Sequence, residues 1–189
     1  VQVLRQKFIE DYGITPTKLE LGRCLGDWEF IFSLGVPEAE RPAFKQSAED
    51  AAYSKYLTTD LYDAVASMLM NLKTRGKNVA LITASKRQPI SEVLTHHNLT
   101  DYFDLVVTAD DVKVHKPDPQ GVLLALDYFG TTKQQAVMLG DTDKDLGAAR
   151  NAGIDSILFY PESHQPFYDR DLLQSFGPVQ VLSHWGELA

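Results

Sequence analysis

Three short stretches of this 189-residue chain carry side chains that could do chemistry together. The richest is residues 136–145, AVMLGDTDKD, where an apolar run of strand length stops at Gly140 and is followed by Asp141, Asp143 and Asp145. Carboxylates gathered with only Lys144 among them suit a hard cation such as Mg²⁺, which takes oxygen ligands and keeps several waters. On spacing alone a helix cap is the stronger reading, because Asp or Thr at a helix start satisfies its orphan N–H groups. The second stretch, Thr83-Ala84-Ser85-Lys86, directly follows an apolar run. Its hydroxyls and freed N–H groups could hold phosphate oxygens, and a Thr/Ser helix cap explains it at least as well. The third is His115-Lys116-Pro117-Asp118-Pro119. A lone lysine is usually a solvated surface group, but two prolines stiffen this loop ahead of a helix and aim the Lys116 ammonium toward an anion.

The elements that must place these groups are legible from periodicity. Gly140 is expected to let the backbone turn sharply without a Cβ clash, and DKDLGAARNAGI reads as a helix. Asp141 and Asp145 then lie around a strand-to-helix turn at a strand's carboxyl end, where open α/β sheets bind ligands. Strands are predicted at 79–83, apolar throughout and therefore buried on both faces, and at 105–107, 137–139, 156–159 and, as an edge, 179–182. Helices are predicted at 59–74, with Leu61, Val65, Met68, Leu69 and Leu72 as the buried stripe, and at 89–97, 120–129, 144–152 and 169–175. Strand and helix alternating at this rate mean a parallel sheet wrapped by helices.

Ahead of residue 59 only helical patterns occur. Leu4, Phe8 and Tyr12 share a helix face that Gly13 closes, and further helices are predicted at 19–25, 28–33 and over part of 38–57. The fold class is therefore α/β: residues 59–189 form a Rossmann-like parallel sheet with helices on both faces, preceded by a small helical segment over 1–58. Trp28, Phe30 and Phe32 fit core packing of that segment better than a substrate-facing patch. Arg23, Lys45 and Lys55 could reach a second charged group of a substrate, or lie on solvated faces.

Composition excludes several partners. Eighteen Lys and Arg against 26 Asp and Glu leave a formal charge of −8, which disfavours a broad nucleic-acid surface. No apolar run approaches the ~20 residues of a membrane span. Cys24 is the only cysteine, so no intrachain disulfide can form and a reducing, cytoplasmic setting is the simpler expectation. The five histidines are scattered apart from His96-His97 and do not make a zinc site. Oligomeric state is not encoded in any pattern here.

In order and spacing the three stretches resemble the haloacid dehalogenase-like phosphatase superfamily: a hydroxyl residue after the second core strand, a Lys-Pro-x-Pro lysine, then Gly-Asp-(Ser/Thr) with a second acid nearby. The resemblance covers roughly residues 59–160, and 1–58 is similar to the small helical cap that such enzymes insert between their first two core motifs. Phosphoglycolate phosphatase-like members are most similar, and Thr83-Ala84-Ser85-Lys86 also resembles the β-phosphoglucomutase branch. The resemblance implies a Mg²⁺-dependent phosphomonoesterase acting on a small phosphorylated metabolite through an aspartyl-phosphate. Thr83 would hold a phosphoryl oxygen, with Ser85 a weaker second. Lys116 would neutralise charge shared by phosphate and nucleophile, Asp141 would ligate Mg²⁺, and Asp145 would either ligate it or orient the loop and Lys116. A phosphomutase, or an inactive relative that binds a phosphorylated ligand, would share this core.

The superfamily's Asp-x-Asp strand, which supplies the attacking carboxylate, is not found ahead of the helical segment. With Val1 rather than Met at the start, the expectation is an excerpt whose nucleophile lies upstream and which does not itself turn over phosphoesters. In the family that strand lies between those ending at Thr83 and Gly140. A preserved gap would leave the Ile82 and Leu139 backbones ~10 Å apart, whereas a closed sheet would pair them.

Overall fold

The computed structural model describes residues 2–24 and 27–188. It divides into two compact units, Val1–Thr59 with Ser163–Asp169, and Asp60–Glu162 with Arg170–Ala189.

The first unit is built from α1 (Gln2–Tyr12), α2 (Lys18–Arg23), α3 (Trp28–Ser33) and α4 (Arg41–Tyr56). The face carrying Leu4, Phe8 and Tyr12 turns inward on α1, and Gly13, at φ +65°, ends the helix in the left-handed region that lacks a penalty only for glycine. Thr17 and Glu20 close a reciprocal capping box on α2, and Asp27 caps α3 through the Phe30 amide. The helix expected at 19–25 is α2; Leu25 lies outside the described residues. Phe8, Cys24, Ile31, Val36 and Phe44 form the core, with the Phe8 and Phe44 rings 5.3 Å apart. Trp28, Phe30 and Phe32 pack against that core. Arg23 lies over Phe30 at 4.2 Å and Lys45 over Trp28 at 5.4 Å, so two of the three candidate cations rest on aromatic faces of their own unit, and the third, Lys55, is exposed.

Residues 163–169, which the sequence reading kept with the α/β segment, group with these helices. The reason is local: a Cβ on Gly22 would lie 1.9 Å from the Phe167 carbonyl oxygen, so only glycine on α2 admits that backbone.

The second unit runs α5 (Val65–Thr74), β1 (Ala80–Ile82), α6 (Arg87–His96), β2 (Leu105–Val107), α7 (Gln120–Phe129), β3 (Val137–Gly140), α8 (Asp143–Ala152), β4 (Asp155–Phe159), α9 (Arg170–Gln174) and β5 (Gln180–Leu182). Every strand pair is parallel, in two sheets ordered β1-β2 and β3-β4-β5. Both faces are covered. Met68, Leu69, Leu94 and Leu99 of α5, α6 and the segment after α6 take in Leu81, while Val122 of α7 and Ala148, Ala149 and Ala152 of α8 pack with Met138 and Ile82. The second of these clusters joins side chains of β1 and β3 in one apolar layer although their backbones do not pair. The alternative of a closed sheet is therefore not what forms.

Two expectations change. The helix predicted from residue 59 begins only at Val65, because Ala64 takes the left-handed conformation at φ +66°; Tyr62 packs edge-on to Phe159, and Leu61 is an exposed residue outside the stripe. The strand predicted at 79–83 is three residues long and half-buried throughout, since among the described residues it pairs only with β2.

Gly22→Ala should destabilise the chain by at least ~2 kcal/mol, because neither backbone can yield as a flexible side chain would. A thermal melt unchanged within a degree would show that the Phe167 segment does not need this close approach.

Candidate active site

The carboxylate turn follows from how α8 starts. Thr142 is its N-cap and Asp145 the third helical residue, and the two close a capping box. Asp145 Oδ2 accepts from Thr142 Oγ1 at 2.6 Å, from the Thr142 amide at 3.1 Å and from the Asp141 amide at 3.3 Å. Its other oxygen, Oδ1, accepts from Lys116 Nζ at 2.7 Å. Both oxygens of Asp145 are thus engaged, with the residue 7% exposed. Asp143 is exposed in the first turn, and Asp141 is the carboxylate that stands outside the cap, just past β3.

Gly140 avoids a Cβ clash as expected, but the clash is with Asp145. It is the last residue of β3 with an ordinary φ, and a Cβ there would lie 2.2 Å from the Asp145 Cβ. Glycine is required for the close approach of Asp145 rather than for the turn.

Lys116 contacts both the end of β1 and the start of α8. Besides Asp145 its ammonium donates to the Ile82 carbonyl at 2.8 Å. The Thr83 amide donates to Val107 of β2, so the carbonyl of the preceding residue faces the opposite, unpaired edge of β1. The ammonium therefore stands at that open edge, one residue before the Thr83 turn. The turn is closed by the Ser85 amide donating to Thr83 Oγ1 at 3.1 Å, and the Ser85 carbonyl accepts from Ala109. Ile82 carbonyl, Lys116 ammonium, Asp145 carboxylate and Asp141 amide form one continuous chain of contacts. Thr83 follows Ile82 directly and lines the same recess as Lys116, while Asp141 joins the chain through its amide and Ser85 joins the Thr83 turn through its own.

The lysine loop is held by residues outside the three motif stretches. Asn151 Nδ2 donates to the Pro117 carbonyl at 2.9 Å, and Gln120 Oε1 accepts from the amides of Lys113 and Val114 at 2.8 and 3.1 Å. A Cβ on Gly147 would lie 2.8 Å from the Pro117 Cβ. Gly147 and Asn151 are four apart on α8, a spacing that puts both on one helix face and was the available signal.

The electrostatics follow from burial. Burial, with the Asp145 charge second, pushes the Asp141 carboxyl up to about 6. Burial acts in the same sense on Asp145, but the Lys116 charge and the hydrogen bonds from Lys116 and Thr142 outweigh it and hold that carboxyl below its ordinary value. No cluster of three His, Cys, Asp or Glu side chains is found among the described residues. Among the described residues of this turn, Asp141 is a carboxylate outside the cap whose charge is costly to keep where it is and would be relieved by a cation. That donor chemistry fits Mg²⁺, which commonly takes one or two carboxylates and completes its shell with water and phosphate.

The parallel α/β unit thus carries a hydroxyl turn, a pinned lysine and a capped carboxylate turn at its strand ends. Residues 3–159 match the haloacid dehalogenase-like hydrolase family, and the chain belongs to it. The pyrophosphatase PpaX of Bacillus cereus (strain AH820) is 30% identical over 126 residues, which are 62% of this chain and 58% of that protein. The chain spans about half the length of the curated relatives it matches. Among solved structures, a Bacteroides fragilis protein described as a haloacid dehalogenase-like hydrolase superposes with a TM-score of 0.84 at 25% identity, covering 100% of this chain and 90% of that one. A Lactobacillus plantarum protein described as a phosphoglycolate phosphatase superposes at 0.81 and 20% identity, covering 99% and 87%, a likeness of fold.

Two outcomes are expected. With its folded value raised, Asp141 binds a proton more tightly in the native than in the unfolded chain between about pH 4 and 6, so stability falls as pH rises through that window. Asp141→Asn should therefore stabilise the metal-free chain above pH 6, by on the order of 1 kcal/mol after solvent screening, and have no effect below pH 4. Urea melts across that range check the sign. Lys116→Met, which leaves the Asp145 carboxylate buried without its counter-ion, should cost about 3 kcal/mol at pH 7. A melt within 0.5 kcal/mol of wild type would mean that Asp145 is held by its amides and Thr142 alone.

Proposed function

We propose that this chain is the helical cap and most of the α/β core of a Mg²⁺-dependent phosphomonoesterase that acts on a small phosphorylated metabolite. The observation that carries the reading is the Lys116 ammonium held between the Ile82 carbonyl and Asp145, at the unpaired edge of β1, beside the Thr83 turn. A cation fixed there, with a hydroxyl on one side and a carboxylate on the other, suits the spread of charge in phosphoryl transfer. Positioning and neutralisation do most of the catalysis in such reactions.

In this reading Thr83 donates its hydroxyl proton to a phosphoryl oxygen. Its Oγ1 already accepts from the Ser85 amide, which leaves the hydrogen to point outward. Ser85 chiefly shapes that turn. Lys116 neutralises charge shared by phosphate and attacking carboxylate. Asp145 orients Lys116 and the turn before α8 rather than ligating metal, because both its oxygens are engaged. Asp141 would hold Mg²⁺, which when bound supplies Lewis-acid neutralisation of phosphate charge. The attacking carboxylate is proposed to come from a strand outside these residues, entering between β1 and β3 to form an aspartyl-phosphate. Similarity to proteins named pyrophosphatase and phosphoglycolate phosphatase supports small phosphorylated substrates, with pyrophosphate and phosphoglycolate the first to try.

The test is phosphate release from such a panel, with and without Mg²⁺, by the chain expressed with its upstream coding sequence. Release that needs Mg²⁺, falls at least about 100-fold in Asp141→Asn and is absent from residues 1–189 alone is expected. Full activity of Asp141→Asn would remove that carboxylate from the mechanism.

A further inference from the structure

Arg87 is the residue that a phosphate at the Thr83 turn would be expected to recruit. It lies two positions past Ser85, opens α6, and carries a planar fork of donors matched to phosphate oxygens. The structure commits that fork elsewhere. Arg87 Nη2 donates to the Val106 carbonyl at 3.2 Å and to Asp111 Oδ2, and the Arg87 amide donates to Asp110 Oδ2 at 2.8 Å. The same Asp111 oxygen accepts from the Thr108 amide and the Thr108 hydroxyl, both at 2.7 Å. Thr108 is wholly buried and lines the same small recess as Thr83, Ala84 and Lys116. On the turn itself the Thr83 amide donates to Val107 and the Ser85 carbonyl accepts from Ala109, at 2.9 and 3.0 Å. Residues 83–87 are thus stapled along their length to residues 106–111.

We propose that Asp111 and Thr108 are positioning residues that keep the Thr83–Ser85 turn in its anion-binding shape, with Arg87 as their brace and not as a phosphate ligand. The inference rests on the phosphate-holding role proposed for Thr83. An exposed ion pair such as Arg87 with Asp111 adds little stability by itself. Its worth lies in geometry: one Asp111 oxygen gathers the buried Thr108 hydroxyl, the Thr108 amide and the Arg87 guanidinium at one point, tying the start of α6 to the segment after β2. With the guanidinium committed, Lys116 supplies positive charge at this rim from a pinned loop.

The test uses the ¹⁵N-labelled 189-residue chain titrated with inorganic phosphate, together with amide hydrogen exchange in its absence. Wild type is compared with Asp111→Asn, Thr108→Val and Thr108→Ser. Wild type and Thr108→Ser should show the same phosphate-dependent shifts at residues 83–85. Asp111→Asn and Thr108→Val should bind about ten-fold more weakly and exchange faster at residues 83–87 only. Unchanged phosphate affinity in both variants, or faster exchange spread evenly over β1 to β5, overturns the proposal, the latter by revealing a general contribution to stability. A wild-type chain with no shift at 83–85 overturns the Thr83 reading and this inference with it. A binding wild type with unaffected variants removes the brace alone.

Discussion

A part-buried ammonium facing a buried carboxylate is the constraint around which the α/β unit is arranged. Taking Lys116 and Asp145 out of water is costly, and their attraction repays that only when the remaining donors and acceptors are met. They are met here by backbone. The Ile82 carbonyl takes a second ammonium proton, and the amides of Asp141 and Thr142 with the Thr142 hydroxyl saturate the far carboxylate oxygen. Gly140 exists as glycine because this carboxylate must press against the end of β3, and Gly147 and Asn151 hold the loop from which the lysine comes.

The pair also spans a break in the sheet. β1 and β3 share an apolar layer with α7 and α8 but no ladder, and each is the last strand of its sheet. Strand edges ordinarily invite pairing. At one point of this edge an acceptor is occupied by the lysine, so the side chain proposed for charge neutralisation also covers a backbone group that β1 leaves open.

Much of this was legible in the sequence, for identifiable reasons. Amphipathic spacing and closing glycines fixed α1, α7 and α8 almost to the residue, because Leu4, Phe8 and Tyr12, or Gly130 and Gly153 in left-handed conformations, are local signals. The start of α5 was missed because Ala64 adopts a conformation no alanine advertises, and Tyr62 is drawn out by a ring far along the chain. At the site, residue types and order pointed to Thr83, Lys116, Asp141 and Asp145, yet their division of labour did not. Cap and metal ligand looked like rival readings of one acidic run. The structure gives the cap to Thr142 and Asp145 and leaves Asp141 outside it, which only the hydrogen bonds could reveal. Asn151 reaches the Pro117 carbonyl from 34 residues away, while Gln120 and Thr108 make short-range contacts, to the Lys113 and Val114 amides and to Asp111, that periodicity does not mark.

The helical unit is not a continuous stretch of chain. It is left at Thr59, re-entered at Ser163 and left again at Asp169, with Gly22 shaped to receive the returning backbone at Phe167. A gene fragment cut after residue 59 would encode the helices without the piece that completes them, and the complementary fragment would carry that piece as an orphan. Shuffling caps among homologues at this boundary therefore has to move two inserts in concert, and any lineage that exchanged only the first would inherit a mismatch between Gly22 and the segment seated on it.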